Sequence, residues 1–495
     1  MTNPRPLDMN PDEFRRLGHR LIDRIAEHLE SVSSGPVTPD ETAAAVRKAL
    51  DSDRSLPEEG TDADTLLEHA GTLLFDHSLF NGHPRFFGFI TSSPAPIGVL
   101  GDLLAGALNQ NCGSSSLSPM ATEIEAQTVR WIADFIGFTD PPHPSGDAAK
   151  AGGLLVSGGN MANFVCFLAA RTAKAGWDVR QVGLNGRHPR LVVYASAETH
   201  TWIQKAADLF GLGTDAIRWI AIDGHQRMDT NDLRRQISAD RDRGERPFLV
   251  VGTAGSVSTG AVDPLPAIGE ICREFDLWFH VDGAYGALAA AIPGAPDDLR
   301  GLASADSVAV DPHKWLYAPL EAGCALVRRP GDLRNAFSYH PPYYRFSEEA
   351  LNYVDHGMQN SRGFRALKVW LALQQIGRQG YIESIAEDMR LSRKMHQLLS
   401  THPEFEVLTQ ALSITTFRFV PAELRPGIGE PAAEASLNTL NEDLLLRLQR
   451  SGEAYFSNAV INGKFALRAC IVNFRTSDED IEALPELIAR LAGRE

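Results

Sequence analysis

Cysteine is scarce. The 495 residues hold five, Cys112, Cys166, Cys272, Cys324 and Cys470, widely scattered, with no CxxC spacing and no His/Cys cluster. An odd, dispersed set argues against a disulfide framework and against a zinc site, and fits reduced thiols in a cytosolic protein. Positive charge is also in deficit: 47 Lys+Arg stand against 63 Asp+Glu, a formal net charge of −16. General nucleic-acid binding needs clustered Lys and Arg, so no nucleic-acid partner is expected, although one local basic site still suffices for an anionic small molecule. No stretch reaches the apolar length of a membrane span, and Met1–Asn10 lacks the charged-then-apolar order of a signal peptide. There is no internal repeat and no low-complexity tract. What is present is ordinary: 43% hydrophobic and 22% charged residues. The length suits about three domains and a large core. A soluble cytoplasmic protein without a membrane partner is expected.

The N-terminus reads as helical. Asn10 at the cap, Pro11 in the first turn and Glu13 three residues on mark a start, and Phe14, Leu17, Leu21, Ile25 and Leu29 form one apolar stripe. Two further helices are expected near 40–50 and 62–77. Such an arm is too thin to bury its own stripes, so it packs either on the same chain or on another subunit. From about 95 to 330, short apolar runs alternate with helical patterns. The runs are Leu154–Val156, Leu191–Tyr194, Trp219–Ile222, Phe248–Val251, Leu277–Val281 and Ser307–Val310. Short, often β-branched runs of this kind suit strands buried on both faces of a mainly parallel α/β sheet. After about 370, a helix near 380–400, strand-like runs at 412–419 and 465–472, and helices near 436–450 and 478–492 predict a smaller α+β domain. The expected division is 1–90, 91–370 and 371–495.

Ligands in parallel sheets sit at the carboxyl ends of the strands, so the residues just after each run come first. After 154–156 stands Ser157-Gly158-Gly159-Asn160, opening an apolar helix. Such a turn is either a plain bend or a phosphate site, with N–H groups at the positive end of a helix dipole. After 277–281 stands Asp282, either a helix cap or a partner for a positively charged ring nitrogen. After 307–310 comes Asp311-Pro312-His313-Lys314-Trp315. Lys314 is either a surface residue or a buried amine able to form a Schiff base. Pyridoxal 5′-phosphate needs an anion cradle, a carboxylate for its ring nitrogen and a lysine, and all three recur in order here.

The motifs His280-Val281-Asp282-Gly283-Ala284-Tyr285-Gly286 and Asp311-Pro312-His313-Lys314-Trp315 resemble those of the group II pyridoxal-phosphate-dependent amino-acid decarboxylases, among them the aromatic-L-amino-acid decarboxylases. The resemblance extends to His83–Phe89, Ser118-Pro119, Glu123–Glu125, Thr253–Gly255, Thr259–Pro264 and Ser361–Lys368. It implies the PLP-dependent fold type I: an α/β mainly parallel central sheet, a helical N-terminal segment and a smaller α+β C-terminal domain. It also implies a homodimer with the active site at its interface. By resemblance, Lys314 forms the Schiff base, Asp282 pairs with the ring nitrogen, and His313 with Gly158, Gly159 and Asn160 holds the phosphate. His200 stacks on the ring and Ala284 lies on its other face. Tyr353 matches a loop tyrosine that protonates the substrate carbon, in a loop that also holds Tyr339, Tyr343 and Tyr344. Phe89, Ile90, Thr91 and Ser92 match a segment that lines the substrate pocket in the aromatic enzymes, with Phe89, Ser92 and His200 as the implied substrate contacts.

The chain departs from the family pattern in places. Asn160 stands where Ser or Thr is common, and Val257 where many members carry a hydroxyl that Ser256 or Ser258 would replace. Asp311 replaces an Asn; a carboxylate repels a phosphate, so Asp311 is expected to point elsewhere. Small residues at Asn111–Ser116 stand where the aromatic enzymes place bulky ones. The function these readings imply is decarboxylation of an L-amino acid, aromatic in the first instance (Trp, Tyr, Phe or DOPA), to an amine and CO₂. The alternatives are an acidic or diamino acid as substrate, an aromatic aldehyde synthase, and a silent cofactor-binding scaffold.

Overall fold

The structure is a computed structural model that describes residues 7–139, 152–184, 186, 188–340 and 350–493. The first helix, Pro11–Ser31, starts as its sequence predicts: Asn10 Oδ1 accepts the Asp12 N–H. Helices Ala43–Leu50 and Ala63–Asp76 follow, capped by Thr42 and Asp62. Of the apolar stripe on the first helix only Leu17 is buried, and Phe14 is 62% exposed. The arm therefore leaves much of its apolar face without a cover from its own chain.

Seven strands form the central sheet: β1 Gly152–Val156, β2 Leu191–Ser196, β3 Ile217–Ile220, β4 Arg246–Thr253, β5 Trp278–Asp282, β6 Ser307–Val310 and β7 Gly323–Val327. Their order is β1-β7-β6-β5-β4-β2-β3. All neighbours are parallel except β7, which runs antiparallel to both β1 and β6. Strand alternation sends successive side chains to opposite faces. Val192, Tyr194 and Val250 join one core layer with helices Pro119–Phe135 and Leu265–Phe275. Val193, Ala195, Leu249 and Val251 join the other, against helix Gly159–Lys174. Burial on both faces explains the unbroken apolar runs.

Two differences from the sequence reading have simple causes. The run expected at 219–222 is placed two residues too late, because β3 is the sheet edge. There Arg218 is half-buried and Trp219 is 41% exposed, so the strand is not apolar throughout. Strand β7 is missing from the expected set, although Gly323–Val327 is fully buried.

The second sheet is antiparallel: β8 Phe405–Ala411, β9 Ile414–Phe419, β10 Ser457–Ile461 and β11 Lys464–Cys470, in the order β10-β11-β9-β8. Helices Pro431–Arg450 and Leu484–Ala492 share a third apolar core with it. The helix expected at 380–400 is the second half of a longer element, Ala366–Thr401, broken at Gly377, whose φ of 70° is not helical. Asp388 on this element is buried, and its Oδ2 accepts from Trp315 Nε1 and Tyr317 OH, both at 2.8 Å. The small α+β layer thus grips the loop that follows β6.

Candidate active site

The carboxyl ends of β4, β5 and β6 and the start of helix Gly159–Lys174 surround a cleft of about 360 Å³. Gly158, Gly159, Asn160, His200, Asp282, Ala284, His313 and Lys314 all line it. Residues far apart in sequence meet there because each directly follows a strand or opens the next helix.

The turn after β1 demands glycine. Gly158 has φ 108° and ψ 177°, a region that side chains exclude. A Cβ on Gly159 would lie 2.7 Å from Asp311 Oδ2 and 3.3 Å from Ala284 Cβ. Without side chains in the way, the first-turn N–H groups of the helix face the cleft, free of intrahelical partners and at the positive end of the dipole. Of the two readings of this turn, the geometry favours an anion cradle.

Lys314 Nζ lies 3.0 Å from Asp311 Oδ2, and His313 Nε2 lies 3.7 Å from the same oxygen. His313 is fixed from behind: its Nδ1 donates to Ala322 O at 2.7 Å, and burial lowers its pKa. The expectation that Asp311 points elsewhere is overturned. It lines the cleft beside Gly159, where the Lys314 ammonium offsets its charge.

Asp282 ends β5. Its Oδ1 accepts Ala284 N at 3.2 Å and its Oδ2 accepts the indole Nε1 of Trp202 at 2.7 Å. It therefore makes a local turn contact and faces the cleft as well. His200 Nδ1 accepts Trp202 N at 3.3 Å, which leaves Nε2 to carry the proton of the neutral ring. Burial lowers the His200 pKa, Asp282 opposing.

Other expected site residues lie outside the cleft of the single chain. Phe89 and Ser92 do not line the cleft. Phe89, at φ 53°, is 55% exposed and packs against Tyr455, while Ser92 Oγ donates to the carbonyl of His313 at 2.8 Å. Ile90, from the same expected segment, does line the cleft. Val257 also lines it, but Ser256 is buried and bonded to Thr259 at 2.9 Å, so Ser256 does not replace the missing hydroxyl.

Tyr353 is likewise absent from the cleft. Its buried ring lies under Arg362, 4.6 Å from the guanidinium carbon, and burial pushes its hydroxyl well above the usual range. Tyr339 is an exposed side chain under Arg180, and Tyr343 and Tyr344 lie outside the described residues. Asn111–Ser116 packs on the 352–362 segment, with Val354 N donating to Gly113 O at 3.0 Å.

The sequence reading missed Thr253, Glu198 and Trp202. Thr253 ends β4, where inspection of strand ends would find it, and Glu198 and Trp202 flank His200.

Residues 46–420 match the pyridoxal-dependent decarboxylase conserved domain. The chain belongs to that family. Its enzymes are pyridoxal-phosphate-dependent amino-acid decarboxylases of fold type I, and the relatives include aromatic decarboxylases and aromatic aldehyde synthases. An aromatic-L-amino-acid decarboxylase of Bacillus atrophaeus is 33% identical over 491 residues, covering 98% of this chain and 97% of that protein. A phenylacetaldehyde synthase of a Rosa hybrid cultivar is 29% identical over 480 residues, covering 96% and 92%. The crystal structure of Oryza sativa TDC with PLP and tryptamine superposes with a TM-score of 0.89 at 28% identity, covering 99% of each chain.

The cleft fits the family's cofactor on its own geometry. The glycine turn leaves a cradle that a Cβ would fill. Three buried polar atoms of lining residues, Thr253 Oγ1, Glu198 Oε2 and Asp311 Oδ1, have no hydrogen-bond partner. Such atoms are rare in folded proteins; Thr253 Oγ1 can donate to an oxygen of the cofactor, while the two carboxylate oxygens can only accept and need a donor.

Proposed function

We propose that this decarboxylase removes the carboxylate of an aromatic L-amino acid, releasing the amine and CO₂. The observation that carries the reading is the convergence of Lys314, Asp282, His200 and the Gly158-Gly159 turn on one cleft. The aromatic preference rests on relatives such as the Bacillus atrophaeus enzyme and on the apolar Ile90, Val257 and Leu320 in the cleft wall.

The roles follow from placement. The helix N-terminus and His313 hold the cofactor phosphate. Asp282 faces its ring nitrogen, Ala284 and His200 bracket the ring, and Lys314 presents a primary amine to its aldehyde. When bound, pyridoxal phosphate supplies the electron sink for the pair released as CO₂ departs. Orientation of the scissile carboxylate out of the ring plane is the task of the cleft walls.

A homodimer completes the site. Leu100, Leu103, Leu104 and Leu108 on helix Pro96–Leu108 are each about half exposed, on one helical face. An uncovered apolar face of this kind suits a subunit interface. The five buried, unbridged cysteines suit the cytoplasm.

The second reading, an aldehyde synthase, is favoured by the phenylacetaldehyde synthases among the relatives, while retention of both Tyr353 and His200 speaks against it. A panel of L-amino acids with DOPA, followed for CO₂, amine, aldehyde and ammonia, tests both. Amine and CO₂ in equal amounts from an aromatic member is the expected result. Amine from an acidic or diamino acid contradicts the aromatic assignment, and aldehyde with ammonia contradicts the amine product.

A further inference from the structure

Two neutral N–H groups hold Asp282, and one belongs to a side chain with no assigned part in the chemistry. Trp202 opens helix Trp202–Leu209, two residues after His200, and is fully buried. Its ring meets Phe167 edge-on at 6.4 Å and His280 edge-on at 5.7 Å, with interplanar angles of 83° and 90°. Its Nε1 donates to Asp282 Oδ2 at 2.7 Å. A buried indole needs some acceptor, and the kind varies: Trp278 uses Ser307 Oγ, and Trp315 uses the carboxylate of Asp388. What sets Trp202 apart is that its acceptor, Asp282, is the carboxylate that lines the cleft and faces the ring nitrogen's place, in a charge-assisted bond. An indole N–H only donates, so it gives Oδ2 one fixed hydrogen and takes none in return.

The layer behind is also neutral and fixed. His280 Nε2 lies 2.7 Å from Asn163 Oδ1 and its Nδ1 lies 2.8 Å from Ser307 Oγ. Burial pushes its imidazole down to about 4, so no positive charge forms next to Trp202 near neutral pH.

We propose that Trp202 is a positioning residue for the reaction, whose indole N–H fixes the rotamer of Asp282 and keeps its carboxylate in acceptor form toward the ring nitrogen of pyridoxal phosphate. The proposal deepens the reading of Asp282 as partner of that nitrogen and rests on it. If Trp202 served packing alone, its N–H would be immaterial to cofactor binding: neighbouring Phe167 and Phe248 fill the same core with plain phenyl rings.

The test is cofactor affinity, measured by titrating the apoenzyme with pyridoxal phosphate and, separately, with the analogue in which a C–H replaces the ring nitrogen. W202F keeps an aromatic ring and removes the N–H. It is expected to weaken pyridoxal phosphate binding by about 10- to 100-fold, the range for a hydrogen bond to a charged group. Affinity for the nitrogen-free analogue is expected to stay at the wild-type value. D282N is expected to lose the same discrimination, and W202F added to D282N to weaken binding little further. Equal losses for both ligands in W202F, with D282N losing the discrimination that the wild type shows, would overturn the role of Trp202 and leave Asp282 in place. A D282N enzyme that binds both ligands as the wild type does would overturn the Asp282 reading and this proposal with it. Should W202F fail to fold, wild-type protein labelled with ¹⁵N-indole tryptophan answers the question. A buried indole N–H resonance that differs between the two ligands supports the proposal, and identical indole spectra contradict it.

Discussion

At the residue scale, two side-chain environments set the behaviour of the cleft. Gly159 has no room for a Cβ, which would meet Asp311 Oδ2 at 2.7 Å and Ala284 Cβ at 3.3 Å. Gly159→Ala is therefore expected to push Asp311 off Lys314 and to weaken pyridoxal phosphate binding at least ten-fold, read by cofactor titration of the apoenzyme. Asp388 lies behind the Lys314 loop, bonded to Trp315 and Tyr317, and burial pushes its carboxyl up to about 7 from 3.8. A carboxyl raised by folding binds its proton more tightly in the native chain than in the unfolded one. Its stabilising contribution is complete below about 3.8 and declines as pH rises through about 7. The urea midpoint of the wild type is thus expected to fall between pH 5 and pH 8 relative to Asp388→Asn, which accepts the same hydrogen bonds without ionising. Parallel midpoints in the two proteins would contradict this. The roles of Lys314, Asp282 and His200 can be proposed from sequence because each follows or flanks a strand end in a specific motif. Asp311 was misread because repulsion from a phosphate was weighed without its contacts inside the chain, Lys314 Nζ at 3.0 Å and Gly159 beside it.

At the element scale, segments distant in sequence are tied together by one buried ion pair. Glu125 on helix Pro119–Phe135 pairs with Arg362, and Glu125 Oε1 also accepts Leu155 N at 2.8 Å in β1. Arg362 donates further to the carbonyls of Cys112 and Leu155, at 2.9 and 2.7 Å. Both side chains are essentially inaccessible, so removal of one charge strands the other in a low-dielectric interior. Glu125→Ala is expected to destabilise the chain by about 3–5 kcal/mol in denaturant unfolding. A loss below about 1 kcal/mol, the scale of an exposed pair, would contradict that reading. Central strands buried on both faces were legible from their apolar runs, and β3 was misplaced because this edge strand leaves Arg218 and Trp219 partly exposed. Strand β10 had a usable signal: Asn462-Gly463, with φ of 50° and 79°, makes its tight turn to β11. The expected helix near 380–400 begins just past the break at Gly377, and the stretch of helix before it, from Ala366, carried no separate start signal.

At the scale of the whole molecule, the uncovered apolar surface and the place of Tyr353 point to assembly. A dimer of twice the chain mass is expected in solution. Replacing Leu103 and Leu104, 55% and 50% exposed, with Asp is expected to give monomers by light scattering and to abolish turnover. A monomeric wild type with full activity would contradict an interface site. A single sequence carries no record of which surfaces meet a second copy, so the dimer and the pocket around Asn111–Ser116 were open to resemblance alone. The most direct test of the function is turnover of the pyridoxal-phosphate-loaded enzyme with aromatic L-amino acids in D₂O, with Lys314→Ala alongside. We expect CO₂ and amine in equal amounts, one deuterium on the former α-carbon, and neither product from Lys314→Ala. Aldehyde with ammonia, or unchanged turnover by Lys314→Ala, would contradict amine-forming decarboxylation at the Lys314 cleft.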